Sequence, residues 1–244
     1  MSEIYQQILN NIAGSKKMFA VLLDPDKCQG DLLIKVLSQF EKATPDFIFI
    51  GGSSMNCDCD TLLHDLKQFS VPKILFPGDA SQFSPDADAL LFLSLISGRN
   101  SDYLIDQHVK SAVEIKKSKV EVIPTGYILI DGGNHSSVKK LSKTEPIGAN
   151  DIKKAVSTAI AGELLGMKMI YLEAGSGAKN PVSKEIIFNV KSSIDIPLIV
   201  GGGIRKLNQL EKAYVAGADL VVVGNIFESE AEKMEEFIRV VKDF

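Results

Sequence analysis

Short apolar runs alternate with amphipathic stretches along almost the whole chain. "KMFAVLLD" (17–24), "DFIFIGG" (46–52), "VPKILF" (71–76) and "ALLFLSLI" (89–96) read as strands one to four. "VEVIPTGYILI" (120–130), "MKMIYLEA" (167–174), "IPLIVGGG" (196–203) and "ADLVVVGN" (218–225) read as strands five to eight. Their apolar density suits a parallel sheet covered on its outer face. Helical patterns occupy 31–40, 60–69, 102–116, the alanine-rich 151–165, 182–193, 206–216 and 228–242. Asp31 is a candidate cap for the first of these, Pro181 sits near the first turn of the fifth, and Gly217 ends the sixth. Pro124 is expected to interrupt the regular pairing of the fifth strand.

Eight strands separated by helices predict a single-domain (β/α)8 TIM barrel over residues 1–244. A doubly wound open sheet is the alternative. The glycine-rich ends of strands seven and eight favour the barrel, where phosphate sites commonly lie. One unit breaks the alternation. "PGDASQFSPDAD" (77–88), with two prolines and a glycine, is all that separates strands three and four. It predicts an extended or irregular crossover in place of the third helix. The barrel's outside should be less covered there, open to a hydrophobic substrate or a partner subunit.

Hydrophobic residues make up 45% of the 244 and charged residues 24%, which excludes a disordered chain. The formal net charge of -4 and the lack of a basic tract disfavour a nucleic-acid partner. Cys28, Cys57 and Cys59 do not form a disulfide framework, and no second pair completes a metal site for Cys57 and Cys59. The N-terminus lacks a signal-peptide pattern and no apolar run is long enough to span a bilayer, so a cytoplasmic protein without a transmembrane segment is expected.

Three glycine-rich segments fall at the predicted carboxyl ends of strands six to eight: "EAGSGA" (173–178), "GGGIR" (201–205) and "VGN" (223–225). Glycines let backbone amides approach phosphate oxygens closely. A short helix starting near Asn225 would add unpaired N–H groups, and Ser176 a hydroxyl. Neither a dinucleotide fingerprint nor a P-loop is present, which points to the phosphate of a small substrate.

"LLDPDK" (22–27) places Asp24 and Asp26 two positions apart around Pro25. The pair is either a capping turn or a rim site for Mg²⁺, with Ser53 approaching and Lys27 facing a phosphate. Glu173, among the phosphate glycines, is badly placed for anion binding and well placed to take a proton from a hydroxyl. Tyr171 and Tyr127 either line an apolar passage or belong to the barrel wall. His64 and His108 fall in outer helices and read as structural or exposed, and His135 lies in the long loop after strand five.

Taken together, "LLDPDK", "FIGGSS" (49–54), "YLEAGSGA" (171–178), "VGGGIR" (200–205) and "VVVGNIF" (221–227) resemble the geranylgeranylglyceryl phosphate synthase family, including its bacterial heptaprenylglyceryl phosphate synthase relatives. "SLISGRN" (94–100) and "PTGYILIDGG" (124–133) add to the resemblance, which covers nearly the whole chain. It implies a barrel whose third helix is an extended segment and an Mg²⁺-dependent transfer of a prenyl group from a polyprenyl diphosphate to sn-glycerol 1-phosphate. It implies substrate contacts at Tyr127, Tyr171, Leu172, Glu173, Ala174, Gly175, Ser176, Gly202, Gly203, Gly224 and Asn225, with Glu173 and Tyr171 catalytic. Asp24 and Ser53 match the metal positions.

It also implies a homo-oligomer, and its lipid-like donor implies transient membrane proximity. The "SLISGRNSDY" region resembles geranylgeranyl-using branches, which favours a C20 over a C35 donor, with Tyr103 narrowing the far end of the groove. Some family members carry lysine where this chain has Leu22. The diphosphate then falls to another cation, Lys27 or Arg99.

Overall fold

A computed structural model describes residues 3–52, 58–134, 136–242 and 244. Strands β1 (Met18–Leu23), β2 (Phe47–Ile50), β3 (Lys73–Leu75), β4 (Ala89–Leu95), β5 (Glu121–Leu129), β6 (Met169–Glu173), β7 (Leu198–Gly201) and β8 (Leu220–Val223) close into one barrel in sequence order. Every pairing is parallel, and β8 returns to β1 with Val21 opposite Val223. The barrel reading therefore holds, and the open-sheet alternative does not.

Side chains alternate between two apolar layers, as the two-residue period of a strand requires. Met18, Phe47, Phe49, Ile74, Leu91, Met169, Tyr171 and Ile199 fill the barrel interior. Phe19, Ile48, Leu75, Leu90, Ile170 and Val200 face outward and pack under the helices. The layer outside comprises α2 (Gly30–Lys42), α3 (Cys59–Asp65), α4 (Gln107–Lys117), α6 (Ile152–Leu164), α7 (Lys184–Lys191), α8 (Leu207–Val215) and α9 (Met234–Val241), with a short α5 (Ser137–Ser142) in the loop after β5.

The periodicity at the N-terminus escaped the sequence reading. Helix α1 (Glu3–Ala13) carries Ile4, Tyr5, Ile8 and Ile12 on one face, which packs against the interior cluster. The Glu121 carboxylate at the start of β5 accepts hydrogen bonds from the N–H groups of Ile4 (2.7 Å) and Tyr5 (2.8 Å).

Several local expectations are corrected. Pro124 lies inside β5, opposite Phe92. Its carbonyl accepts from Lys168 N–H just ahead of β6, so its missing N–H faces the side where that neighbour strand has not yet begun. Asp31 lies in the first turn of α2, whose cap position is Gln29. Ser183, not Pro181, opens α7, its hydroxyl accepting from Ile186 N–H. The last helical segment is two 3₁₀ turns, Asn225–Glu228 and Ala231–Lys233, followed by α9. Residues 77–88 contain only a 3₁₀ turn, Ala80–Gln82, as the prolines and glycine predict.

Candidate active site

A single cleft of about 1660 Å³, counted out to its open mouth, joins the carboxyl ends of the strands to the gap left by the missing helix. Its polar end is lined by Asp24, Lys27, Glu173, Ser176, Gly202, Gly203, Gly224 and Asn225. Its apolar arm runs between β4 and α4 past Phe83, Phe92, Tyr103 and His108, and reaches Leu90, Ser111 and Ile115.

The cradle is made of backbone. Gly202 and Gly203 leave β7 with φ of 82° and 71°, a conformation that other residues adopt at a cost. Their N–H groups, like those of Gly224 and Asn225, donate no hydrogen bond among the described residues. Across the mouth the Asn225 amide contacts the Ser176 hydroxyl (3.2 Å) and accepts from Gly177 N–H (3.3 Å). The three glycine segments therefore meet as the sequence requires. Gly175 differs, because its N–H is spent on Glu173 Oε1 at 2.7 Å.

Glu173 ends β6 pointing inward and is 6% exposed. Burial raises its carboxyl pKa to about 7, against the opposing pull of the Gly175 N–H and the Tyr171 hydroxyl. Tyr171 lies between Phe76 (centroids 5.2 Å apart) and Tyr127 (5.3 Å). Burial and the Glu173 charge push both phenols well above their usual range, so they remain donors. Both tyrosines are thus interior wall and cleft lining at once. The side chains of Leu172 and Ala174 turn into the outer layer, so at these positions only the backbone can meet a ligand in the cleft.

Asp24 forms the capping turn and also faces the cleft. Its Oδ1 accepts the N–H of Asp26 (3.1 Å), an Asx turn, while its side chain lines the cleft. Asp26 is exposed and does not line it. Ser53, Cys57 and His135 lie outside the described residues. No group of three or more His, Cys, Asp or Glu side chains able to hold a metal occurs among the described residues. Asp24 beside an anion cradle fits a divalent metal shared with substrate phosphates rather than a protein cage.

Of the two candidate cations, Lys27 lines the cleft, whereas Arg99 is turned onto its own loop, donating to the carbonyls of Ile96 (3.2 Å) and Gly98 (2.5 Å). Burial lowers the Lys27 pKa, but Glu228 and Asp24 raise it more, and the net shift is upward. Tyr103 lines the cleft and packs against the barrel-interior cluster. His64 is exposed as expected. His108 is buried in the arm, edge-on to Phe92, with Nε2 3.3 Å from Ser94 Oγ. Cys28 and Cys59 are buried, and burial pushes the Cys28 thiol up to about 12, so it is inert.

Sequence reasoning missed Phe76, Arg205 and Glu228. Arg205 was visible in "GGGIR"; its guanidinium lines the mouth and donates to Gly177 O at 3.1 Å. Nothing local marks Phe76 or Glu228.

A model of the PcrB family matches residues 11–242. The chain belongs to the PcrB family. A geranylgeranylglyceryl phosphate synthase of Flavobacterium johnsoniae is 49% identical over 95% of this chain and 96% of its own length. The enzyme of that name from Thermococcus kodakarensis is 39% identical over 93% of each. Among solved structures, (S)-3-O-geranylgeranylglyceryl phosphate synthase of Thermoplasma acidophilum in complex with sn-glycerol-1-phosphate superposes with a TM-score of 0.88, at 31% identity and 99% coverage of both chains. This PcrB-family chain has no helix among its described residues long and apolar enough to cross a membrane.

Proposed function

We propose that the protein transfers a geranylgeranyl group from geranylgeranyl diphosphate to the C3 hydroxyl of sn-glycerol 1-phosphate, releasing diphosphate. The observation that carries this reading is the place of Glu173: a buried carboxyl with a pKa of about 7, where a phosphate cradle meets an apolar arm. An anion site with a long apolar extension matches an amphiphilic donor and a small phosphorylated acceptor. The relatives named as synthases, and the sn-glycerol-1-phosphate bound to the Thermoplasma acidophilum enzyme, support it.

The open amides of Gly202, Gly203, Gly224 and Asn225 bind the acceptor's phosphate, with Ser176 and Arg205 beside them. This turns the C3 hydroxyl toward Glu173. The hydroxyl oxygen bonds to C1 of the donor as the C1–oxygen bond to diphosphate breaks, its electron pair leaving with the diphosphate. The hydroxyl proton passes to Glu173. The Glu173 charge also favours the cationic character that develops on the allylic carbon. The Tyr171 phenol beside Glu173 favours its carboxylate form. Asp24, with Ser53 as the second position, would hold Mg²⁺, which when bound would supply positive charge against the leaving diphosphate. The arm from Phe83 to Ile115 excludes water from the prenyl chain.

A homo-oligomer belongs to the same reading. Ile105, Val109 and Val113 stand exposed along the helix beside the 77–88 connection. Light scattering that gives only monomer over the working concentration range would reject it.

The direct test is kcat/KM for C20 and C35 diphosphates in competition, with sn-glycerol 1-phosphate and its 3-phosphate enantiomer as acceptors. Transfer to the 1-phosphate with a C20 preference is expected. A C35 preference would overturn the chain length, and no transfer with either donor would overturn the reaction.

A further inference from the structure

The mouth that must hold two anionic substrates also contains a carboxylate that the reaction does not use. Glu228 ends the 3₁₀ turn that begins at Asn225 and lines the cleft. Like charge makes it a poor neighbour for a diphosphate or a phosphate. It is not isolated, however. One oxygen, Oε1, takes the Lys27 ammonium at 2.9 Å and lies 3.4 Å from Asn225 Nδ2. Lys27 also faces Asp24 Oδ2 at 3.6 Å. The Asn225 amide in turn holds the Ser176 hydroxyl and the Gly177 N–H. A continuous polar chain thus runs from the β1 loop to the glycine cradle.

We propose that Glu228 is a positioning residue that ties Lys27, the cation of the donor diphosphate site, to Asn225 in the acceptor phosphate cradle, so that the two anion subsites are set as one unit. The inference rests on the two-substrate reading above. Lys27 and Arg205 are the lysine and arginine side chains lining the cleft among the described residues. Arg205 is bound to the cradle through Gly177 O, which leaves Lys27 for the diphosphate. The position two residues before Asp24 is Leu22, which carries no charge. Lys27 comes from the other side of Asp24 and needs an anchor, because a lysine stem is flexible. Pairing with Glu228 supplies it and cancels the unwanted negative charge. When a diphosphate engages Lys27, the shared oxygen passes the change to Asn225.

A double-mutant cycle tests this on the purified full chain, with sn-glycerol 1-phosphate affinity read by calorimetry in the absence of donor. Lys27→Met should raise the acceptor Kd about three- to tenfold in the wild-type background, and by less than about 1.5-fold in the Glu228→Ala background. Lys27→Arg, which keeps the charge and the contact, should stay within about twofold of wild type. A merely structural Glu228 would give additive effects with a lowered Tm. Additive effects, or an unchanged acceptor Kd in Lys27→Met, would overturn the coupling. If Glu228→Ala does not fold, Glu228→Gln, which keeps the shape and removes the charge, completes the cycle with the same expectation. Wild-type protein that bound no sn-glycerol 1-phosphate would refute the two-substrate reading and this inference with it. Wild-type binding with additive variants would refute the coupling alone.

Discussion

Gly202 lies so close to Glu173 that a methyl group on its Cα would overlap the Glu173 carboxylate and come within 2.8 Å of the Gly175 nitrogen. The phosphate cradle and the candidate base therefore share one wall, and no side chain fits between them. Gly201 repeats the relationship one residue earlier: a Cβ there would sit 3.1 Å from Glu173 Oε2 and collide with the Tyr171 hydroxyl.

Gly202→Ala is thus expected to damage binding and chemistry together. The φ of 82° alone costs a side-chain-bearing residue about 1–2 kcal/mol, and the overlap must also displace the carboxylate. Calorimetry should show sn-glycerol 1-phosphate bound at least about tenfold more weakly, the equivalent of about 1.4 kcal/mol. Folded Gly202→Ala protein with wild-type affinity would show that the cradle lies elsewhere.

Glu173→Gln keeps the size of the side chain and removes the base. A fall in kcat of roughly 10²- to 10⁴-fold is expected, with a smaller change in acceptor affinity. Because burial holds the wild-type pKa at about 7, kcat/KM should rise with pH through that value, as the carboxylate form accumulates. A wild-type profile flat from pH 5 to 9 with chemistry rate-limiting, or near-normal kcat in the variant, would remove Glu173 from the proton transfer.

The same residue makes a stability prediction with a definite sign. A carboxyl whose folded pKa lies above its ordinary value of 4.5 contributes stability below about pH 4.5 and loses it as pH rises through about 7. Above that pH the fold carries the cost of a buried charge, on the order of 3 kcal/mol. Glu173→Gln should accordingly melt higher than wild type at pH 8, and the gap should shrink toward pH 4.5. Equal melting temperatures at both pH values would mean that the carboxyl is not strained by burial.

At the opposite end of the barrel, Glu121 holds the first turn of α1 through two backbone N–H groups. Its carboxylate also meets the positive end of that helix. Glu121→Gln should cost about 1–3 kcal/mol in urea unfolding. It should leave kcat/KM unchanged, because α1 is remote from the cleft mouth. Unchanged stability would show that the Ile4, Tyr5, Ile8 and Ile12 face alone holds α1 in place.

By itself the sequence determined the eight-strand order, the missing third helix and the identity of the cradle glycines. Each is a local property: apolar runs of strand length, prolines that stop a helix, and residues without a Cβ where backbone must approach a ligand. The place of Glu173 was legible for the same reason: a carboxylate at the end of β6 beside those glycines, and the proposed proton transfer rests on that placement. Tertiary structure alone decided the rest. The direction of Leu172 and Ala174 depends on which face of β6 closes inward, and that follows from the register of the whole barrel. His108 reads as an outer-helix residue until the gap beside β4 turns that face of α4 into a cleft wall. The partner of Lys27 is 201 positions away, and only closure of β8 against β1 brings Glu228 within hydrogen-bonding distance. Charge pairing at that separation leaves no periodic or spacing signal, because it depends on the distance between two loops and not on the chain between them.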